Sequence, residues 1–360
     1  MSRKRIAWVA LAALLLWIPQ YAEAFWLQTG LFAMSAAIAA IGLTLLVGIT
    51  GQLSLASAFF IAIGAYGYGY FAGEPGEAGN PLSAAAGLGW PPLLAAIAAV
   101  ALAGLAGAAF SPIAGRLKGI YLGLASIGLV FIGQHILQNA TSITGGFNGR
   151  DAAPFSLFGF HFANSEPSDF SVFGVPYGQL ERLWYLGLVF VVLSAWYARG
   201  LLRNRPGRAL EAIRDSEIAA AVNGVRVPRY RAAAFTVSSM YAGLAGVLLA
   251  LAFGRVVPES FGFLYSIDFL VMIVIGGLGS VGGAIVGAVI VSALPQILLH
   301  YADRLPLVAE PGADGLQSGD AARFLYGAAV VAVLIFASDG LAGLTRRFRF
   351  NSTNPKGSTA

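Results

Sequence analysis

Few residues in this chain could do chemistry, and their spacing argues against catalysis. Gly277, Gly279 and Gly282 form a G-x-G-x-x-G pattern. A dinucleotide site needs a strand before that pattern and a βαβ unit around it. Here both flanks are apolar stretches of membrane type, so a glycine-rich hairpin between two spans is the better reading. Glycine permits the positive φ and close backbone contact that such a hairpin needs. The three histidines, His135, His161 and His300, are far apart, and there is no cysteine. That excludes a cysteine nucleophile, a thiolate metal site and a metal helix of H-E-x-x-H type. The three lysines, Lys4, Lys118 and Lys356, complete no phosphate-binding loop. Asp268 is different. It stands among Ile267, Phe269, Leu270 and Val271, and an ionisable group inside an apolar span is costly and a functional candidate. It either pairs with a helix terminus or lines an aqueous path.

A second break in the apolar pattern runs Gly48-Ile49-Thr50-Gly51-Gln52-Leu53-Ser54-Leu55-Ala56-Ser57. It reads as a tight turn with a helix N-cap at Thr50 or Ser54. It reads equally as irregular backbone lining a pathway, since such backbone survives at membrane depth only beside protein or a water-filled cavity. Paired interruptions, one in each half of a chain, can point to a transport route, although no clear internal repeat is visible. The pathway candidates are Gln52, Ser54, Ser57, Asp268, Gly276, Gly277 and Gly279.

The elements that position these residues follow from composition. The 360 residues are 58% hydrophobic and 11% charged, with a mean hydropathy of +0.75; a soluble domain is about a quarter charged. A soluble fold, a disordered chain and a nucleic-acid binder are excluded, the last because the net charge of +5 is concentrated in one segment. What remains is an all-α integral membrane protein, because lipid-facing backbone must satisfy its own hydrogen bonds; the alternating strands of a barrel are not seen. With about 20 apolar residues per crossing, ten transmembrane helices are expected: 6–21, 25–49, 53–73, 91–112, 119–139, 182–199, 230–253, 264–278, 283–300 and 323–342. They form one membrane domain over 1–345, with an outer loop at 140–181 and a basic, disordered tail at 346–360. Residues 1–24 also fit a cleavable leader ending at Ala22-Glu23-Ala24, which would leave nine spans.

Short loops carrying Arg and Lys stay in the cytoplasm. Arg3, Lys4 and Arg5, then Arg116 and Lys118, then the segment after span six, then Arg346, Arg347 and Arg349 all fall on one side of the ten-span arrangement. Both termini are therefore expected in the cytoplasm. The segment 200–229 stands out. Between 199 and 231 there are eight arginines and three acids. Pro206-Gly207 breaks the helix entering from span six, residues 208–221 are good helix formers, Gly224 suits a C-terminal cap, and Pro228 prevents continuation. A short amphipathic helix outside the membrane, stopped at both ends, reads as a docking element for a soluble partner; a basic loop touching membrane lipid is the plainer alternative.

At this point several motifs fall into register with one family. GRALEAIRDSEIAAAVNGVRVPRYRAAAF, followed by VPESFGFLYSIDFLVMIVIGGLGSVGGAIVGA, resembles the permease subunits of branched-chain amino acid ABC importers, on the LivM side of the LivH/LivM pair. GITGQLSLASAFFIAIGAY, LKGIYLGLASIG and TGGFNG fit the same family in the same order, and the likeness runs over about 25–345. The resemblance implies a second, LivH-like permease subunit, two cytoplasmic ATPase subunits that bind the ATP and magnesium, and an extracytoplasmic solute-binding protein, all at the inner membrane. This chain would hold no cofactor and no metal and would not itself be an enzyme. The segment near Glu217 then resembles the coupling loop of ABC permeases. Ala219, Ala220 and Gly224 stand where its alanines and glycine belong, but Ile218 takes the acidic place and Glu217 comes one residue early. The coupling candidates are Arg208, Glu211, Arg214, Asp215, Glu217, Ala219, Ala220 and Gly224. A urea or short-amide permease of the same family is the main substrate rival, with aromatic or other carboxylate substrates also open. An ion-coupled secondary transporter titrating at Asp268 is the rival of another class.

Overall fold

The computed structural model describes residues 12–74, 87–117, 119–157, 159–162, 171–172 and 175–301, with isolated residues at 10 and between 324 and 335. A helical stretch at 12–17 leads through a 3-10 turn, Ile18–Gln20, into α1, Ala24–Leu43, which continues as a π-helical turn, Thr44–Ile49. Then follow α2, Ser57–Ala72; α3, Pro92–Arg116; α4, Ile120–Asn139; and α5, Gln179–Arg203. Two short helices, α6, Arg205–Asp215, and α7, Glu217–Val222, lead to α8, Val227–Phe253; α9, Phe263–Gly276; and α10, Val281–His300.

Among the described residues, six helices are long and apolar enough to cross a membrane: 24–49, 92–116, 120–139, 179–203, 227–253 and 281–298. The expected third and eighth spans are α2 and α9, with only 16 and 14 residues. At 1.5 Å per residue they reach about 21–24 Å across a core of about 30 Å. The start of the first expected span, nearly all of the tenth and the whole tail lie outside the described residues.

Helix α8 is the hub, packed against α3, α2 and α1, while α1 also packs against α10 and α5. Buried residues occur all round α1 and α8, as expected of helices enclosed by others. Only about a third of the crossing window of α4 and of α5 is buried, and their large apolar side chains, such as Phe131, Ile132 and Trp196, face outward. Apolar burial alone cannot hold helices together in lipid; close approach of small residues does. Gly64 of α2 lies on the backbone of Gly243 in α8, and a Cβ at Gly246 would sit 2.0 Å from the Ile61 carbonyl oxygen.

The end of the bundle opposite the basic segment is tied by buried polar groups. Strand Arg150–Asp151 pairs antiparallel with Arg255–Val256. Tyr66 Oη donates to the Val256 carbonyl (3.2 Å) and Tyr68 Oη to that of Ala153 (2.9 Å). Arg150 is buried, donates to the Ile143 carbonyl and lies over the Tyr70 ring; burial lowers its pKa from the ordinary guanidinium value. Arg182 Nη1 reaches the His161 carbonyl (2.8 Å).

Substitution of Gly246 by Val is expected to drive α8 off α2 and to lower the thermal unfolding midpoint of the detergent-solubilised protein by several degrees. Gly200→Ala, where nothing lies within 4 Å of the added Cβ, is expected to leave it unchanged.

Candidate functional site

The first break is irregular backbone enclosed by protein. After the π-helical turn, the Gly51 amide donates to Val47 O (3.2 Å) and the Gln52 amide to Leu46 O (3.3 Å). Gly51 adopts φ +72° and turns the chain out of the helix. Neither Thr50 nor Ser54 caps α2, contrary to the turn reading. Thr50 Oγ1 donates back to the Leu46 carbonyl, and Ser54 Oγ accepts only the Ala56 amide two residues on (3.4 Å). The N-cap residue of α2 is Ala56, which has no side chain for the task. The donors of this stretch are met from two other helices. The Leu55 amide donates to Ser126 Oγ of α4 (2.8 Å), and the Ala58 amide donates to Ser266 Oγ of α9 (3.0 Å). Each serine replaces a hydrogen bond that the interrupted ladder no longer makes.

Gln52 is buried, and neither its side-chain oxygen nor its nitrogen has a protein partner; Thr44 Oγ1 is in the same condition. Beside them, Ser54 and Ser57 face Ser238 and Ser239 of α8 across a cavity of about 10 Å³, about the volume one water needs. Ser54 and Ser57 are thus brought together at one place; Gln52 is not among the residues lining it. Asp268 is half-buried. It stands two positions after Ser266, about 200° round a helix, so it lies on another face of α9 than the side chain that holds the break.

The second break sits directly under the first. Gly277 and Gly279 have φ of +103° and +83°, and Gly276 lies on the Gly283 backbone, closing α9 against α10. A Cβ on Gly48 would meet the Gly279 nitrogen at 2.5 Å. The two glycine runs, over 200 residues apart in sequence, therefore touch backbone to backbone.

The basic segment differs from the single helix 208–221 read from sequence. Asn204, extended at ψ −178°, ends α5; Pro206 sits in the first turn of α6, where its missing N–H and fixed φ are harmless. The helix therefore stops before the Pro-Gly pair, which starts the next one. Ser216 is extended (φ −160°, ψ 113°) and splits the segment; its Oγ accepts the Ala219 amide (3.3 Å) and caps α7. Ser216 also favours an extended backbone as a capping residue, which is why the run of helix formers does not stay continuous. At the far end the Val225 amide donates to Ala220 O and the Gly224 amide to Ala221 O (both 3.0 Å), with Gly224 at φ +82°. This is a Schellman cap with glycine in the left-handed position.

Leu210, Ile213 and Ala220 turn inward, while Arg208, Glu211, Asp215 and Ala219 are exposed. So are Ile218 and Val222, at 80% and 83%, one above the other at i and i+4. Arg214 Nη1 donates to the Gly48 carbonyl (2.7 Å), and Glu217 pairs with Arg231 at the start of α8. Among the described residues there is no group of His, Asp and Glu that could hold a metal. Sequence reasoning missed Ser126, Ser238, Ser239 and Ser266. The S in LKGIYLGLASIG and the S before Ile-Asp were the only signals available, and small hydroxyls in apolar helices are otherwise unremarkable.

A bundle with six long apolar helices among the described residues, a buried break in the backbone and a structured basic element at one end fits the class of membrane permeases. Residues 26–334 match the family described as the branched-chain amino acid transport system permease component. The chain is 34% identical to the high-affinity branched-chain amino acid transport permease LivM of Salmonella typhimurium over 337 residues, covering 90% of this chain and 71% of that protein. It is 33% identical to LivM of Escherichia coli (86% and 68% covered) and 26% identical to the ribose import permease RbsC of Escherichia coli (58% and 59%). No solved structure matches the chain significantly. The chain belongs to the branched-chain amino acid transport permease family.

Ser266→Ala leaves the buried Ala58 amide without an acceptor and is expected to cost about 1–3 kcal/mol of stability, read as a lowered unfolding midpoint. Ser126→Ala is expected to act likewise through Leu55.

Proposed function

We propose that this chain is one permease subunit of an ATP-driven importer of branched-chain amino acids. The reading is supported by its family and by one observation above all: a short, doubly capped pair of helices at the basic end exposes Ile218 and Val222 to no partner in the chain's own described part. Large aliphatic side chains standing free on a polar, ordered element mark a place where another protein sits. No ATP-binding motif exists in the sequence, so ATP and magnesium belong to two ATPase subunits docked there. A LivH-like second permease completes the pathway, and a solute-binding protein delivers substrate at the opposite end. In this arrangement the basic end and both termini face the cytoplasm of a multi-pass inner-membrane protein with ten crossings, one domain over 1–345.

Arg208, Glu211, Asp215, Ala219 and the Ile218–Val222 pair form the docking face. Arg214 and Glu217 fasten it to the bundle, Ala220 packs beneath, and Gly224 ends it. ATP-driven closure of the partners displaces this element, and access to the pathway alternates. Gln52, Ser54 and Ser57 line the route, with the glycine turn Gly276, Gly277 and Gly279 shaping its cytoplasmic end and Asp268 on its flank. A buried amide with no partner is costly, and passage of a zwitterionic amino acid gives Gln52 the partner it lacks in this conformation.

Uptake of labelled leucine into vesicles carrying the full complex tests the proposal. Accumulation is expected only with ATP on the side of 204–226 and with the loaded binding protein outside. Accumulation by this chain without ATPase subunits, driven by a proton or sodium gradient, would instead establish an ion-coupled transporter; selective uptake of urea would overturn the substrate. Ile218→Asp and Val222→Asp are expected to reduce co-purified ATPase subunits by about tenfold or more, with the amount of permease in the membrane unchanged.

A further inference from the structure

The contacts beneath the basic segment connect it to the second glycine break. The carbonyl of Gly48 is left over by the helix end. The amides that would reach back to it belong to non-helical residues, and the Gln52 amide is spent on Leu46. Arg214 Nη1 takes that carbonyl at 2.7 Å, a bond strengthened by the guanidinium charge. The arginine stem lies across Gly51, its Cγ 3.3 Å from where a Cβ would stand. On its other side Gly48 rests on the Gly279 backbone, and Ile49 Cδ1 packs near the same glycine. Gly279 lies in the turn of the α9–α10 hairpin. That hairpin is closed by Gly276 on Gly283 and by Gly287 on the carbonyl of Met272. From the guanidinium to the hairpin, then, the path runs through one hydrogen bond and one backbone-to-backbone contact, with no side-chain rotamer in between to absorb a displacement.

We infer that Arg214 is the positioning residue that carries movement of the α6–α7 segment to the α9–α10 hairpin, through the Gly48 carbonyl and the Gly48–Gly279 contact. This rests on the coupling role proposed for residues 204–226 and adds the specific route. The other fastening, Glu217 to Arg231, runs to α8, which is packed by three helices and serves as the fixed side. These two bonds tie the segment to two elements, and α6 also packs on the Thr44–Ile49 turn and on α8 through buried Leu210 and Ile213. A shift of α6 about the α7 anchor that exceeds what the arginine stem can take up carries Gly48 with it or breaks the arginine bond. Since the Gly48–Gly279 contact leaves no room for a Cβ, displacement of Gly48 displaces the hairpin turn. Packed interfaces of this kind switch between discrete arrangements rather than deforming smoothly.

The natural chain lacks cysteine, so paired spin labels can be placed without altering other residues. Labels at Arg205→Cys in α6 and Leu278→Cys in the turn, both exposed, are measured in the assembled complex with and without trapped nucleotide. With Arg214 present the two labels move together, and their separation is expected to change by less than about 1 Å. With Arg214→Met the α6 label moves alone, and the separation changes by about 1–2 Å or more, the scale of helix shifts. In transport assays Arg214→Met is expected to lower leucine imported per ATP hydrolysed by at least about fivefold, the lower end of coupling effects. Arg214→Lys, which keeps one cationic donor, is expected to restore part of it. Loss of ATPase binding in Arg214→Met, a proportional fall in hydrolysis and uptake, or a nucleotide-independent label separation in that variant would overturn the inference while leaving the proposed function intact. If the unsubstituted complex shows neither nucleotide-dependent movement at 205 nor ATP-dependent uptake, the function itself fails and the inference with it.

Discussion

A peptide N–H or C=O placed in hydrocarbon must find its partner within the protein. This chain departs from the α-helix between Thr44 and Ala56, where its second and third expected crossings meet, and the rest of the arrangement follows from meeting that demand. Two serines on separate helices, Ser126 and Ser266, accept the Leu55 and Ala58 amides. Helices α4 and α9 must therefore lie against the break, and α9 must be short enough to end in a turn beneath it. At the edge of the break, Gly48 O accepts from outside, from Arg214. Satisfaction of the break and attachment of the basic segment are the same piece of bonding.

The molecule divides its polar groups by purpose. At the end opposite the basic segment they are paired and buried, as with Arg150, Arg182 and the Tyr66 and Tyr68 hydroxyls, and that end is tied across several loops. Near the break, Gln52 and Thr44 have buried side-chain atoms with no protein partner, as do the Nε atoms of Arg150 and Arg231. At the basic end the polar groups are exposed and surround two uncovered aliphatic residues. Under the proposed function these are a fixed end, a changeable middle and a docking end; the family membership itself supports a permease.

Much of this was legible in the sequence. Apolar run length located α1, α3, α4, α5, α8 and α10 to within a few residues, because a span is long and its composition extreme. Gly224 was readable as a cap, since only a left-handed position after a helix asks for glycine there. The split at Ser216 was not, because a capping serine inside good helix formers yields its preference only when the packing of Leu210, Ile213 and Ala220 fixes both pieces. The N-cap of α2 was misread for a related reason: Thr50 and Ser54 were the local candidates, but the acceptor came from Ser266, more than 200 residues away. The Gly48–Gly279 contact is likewise tertiary. Composition marks both glycine runs as unusual without saying that they meet.

The central claim is that the break at 50–58 is held by side chains of neighbouring helices and is released from the basic end. Amide hydrogen exchange over this stretch in the assembled complex tests it most directly. The account predicts slow exchange of Leu55 and Ala58 without nucleotide, despite the absence of a helical ladder, and faster exchange on nucleotide trapping, confined to 46–58 and 276–282. Rapid exchange in the resting complex, or exchange that nucleotide leaves unaltered, would contradict it.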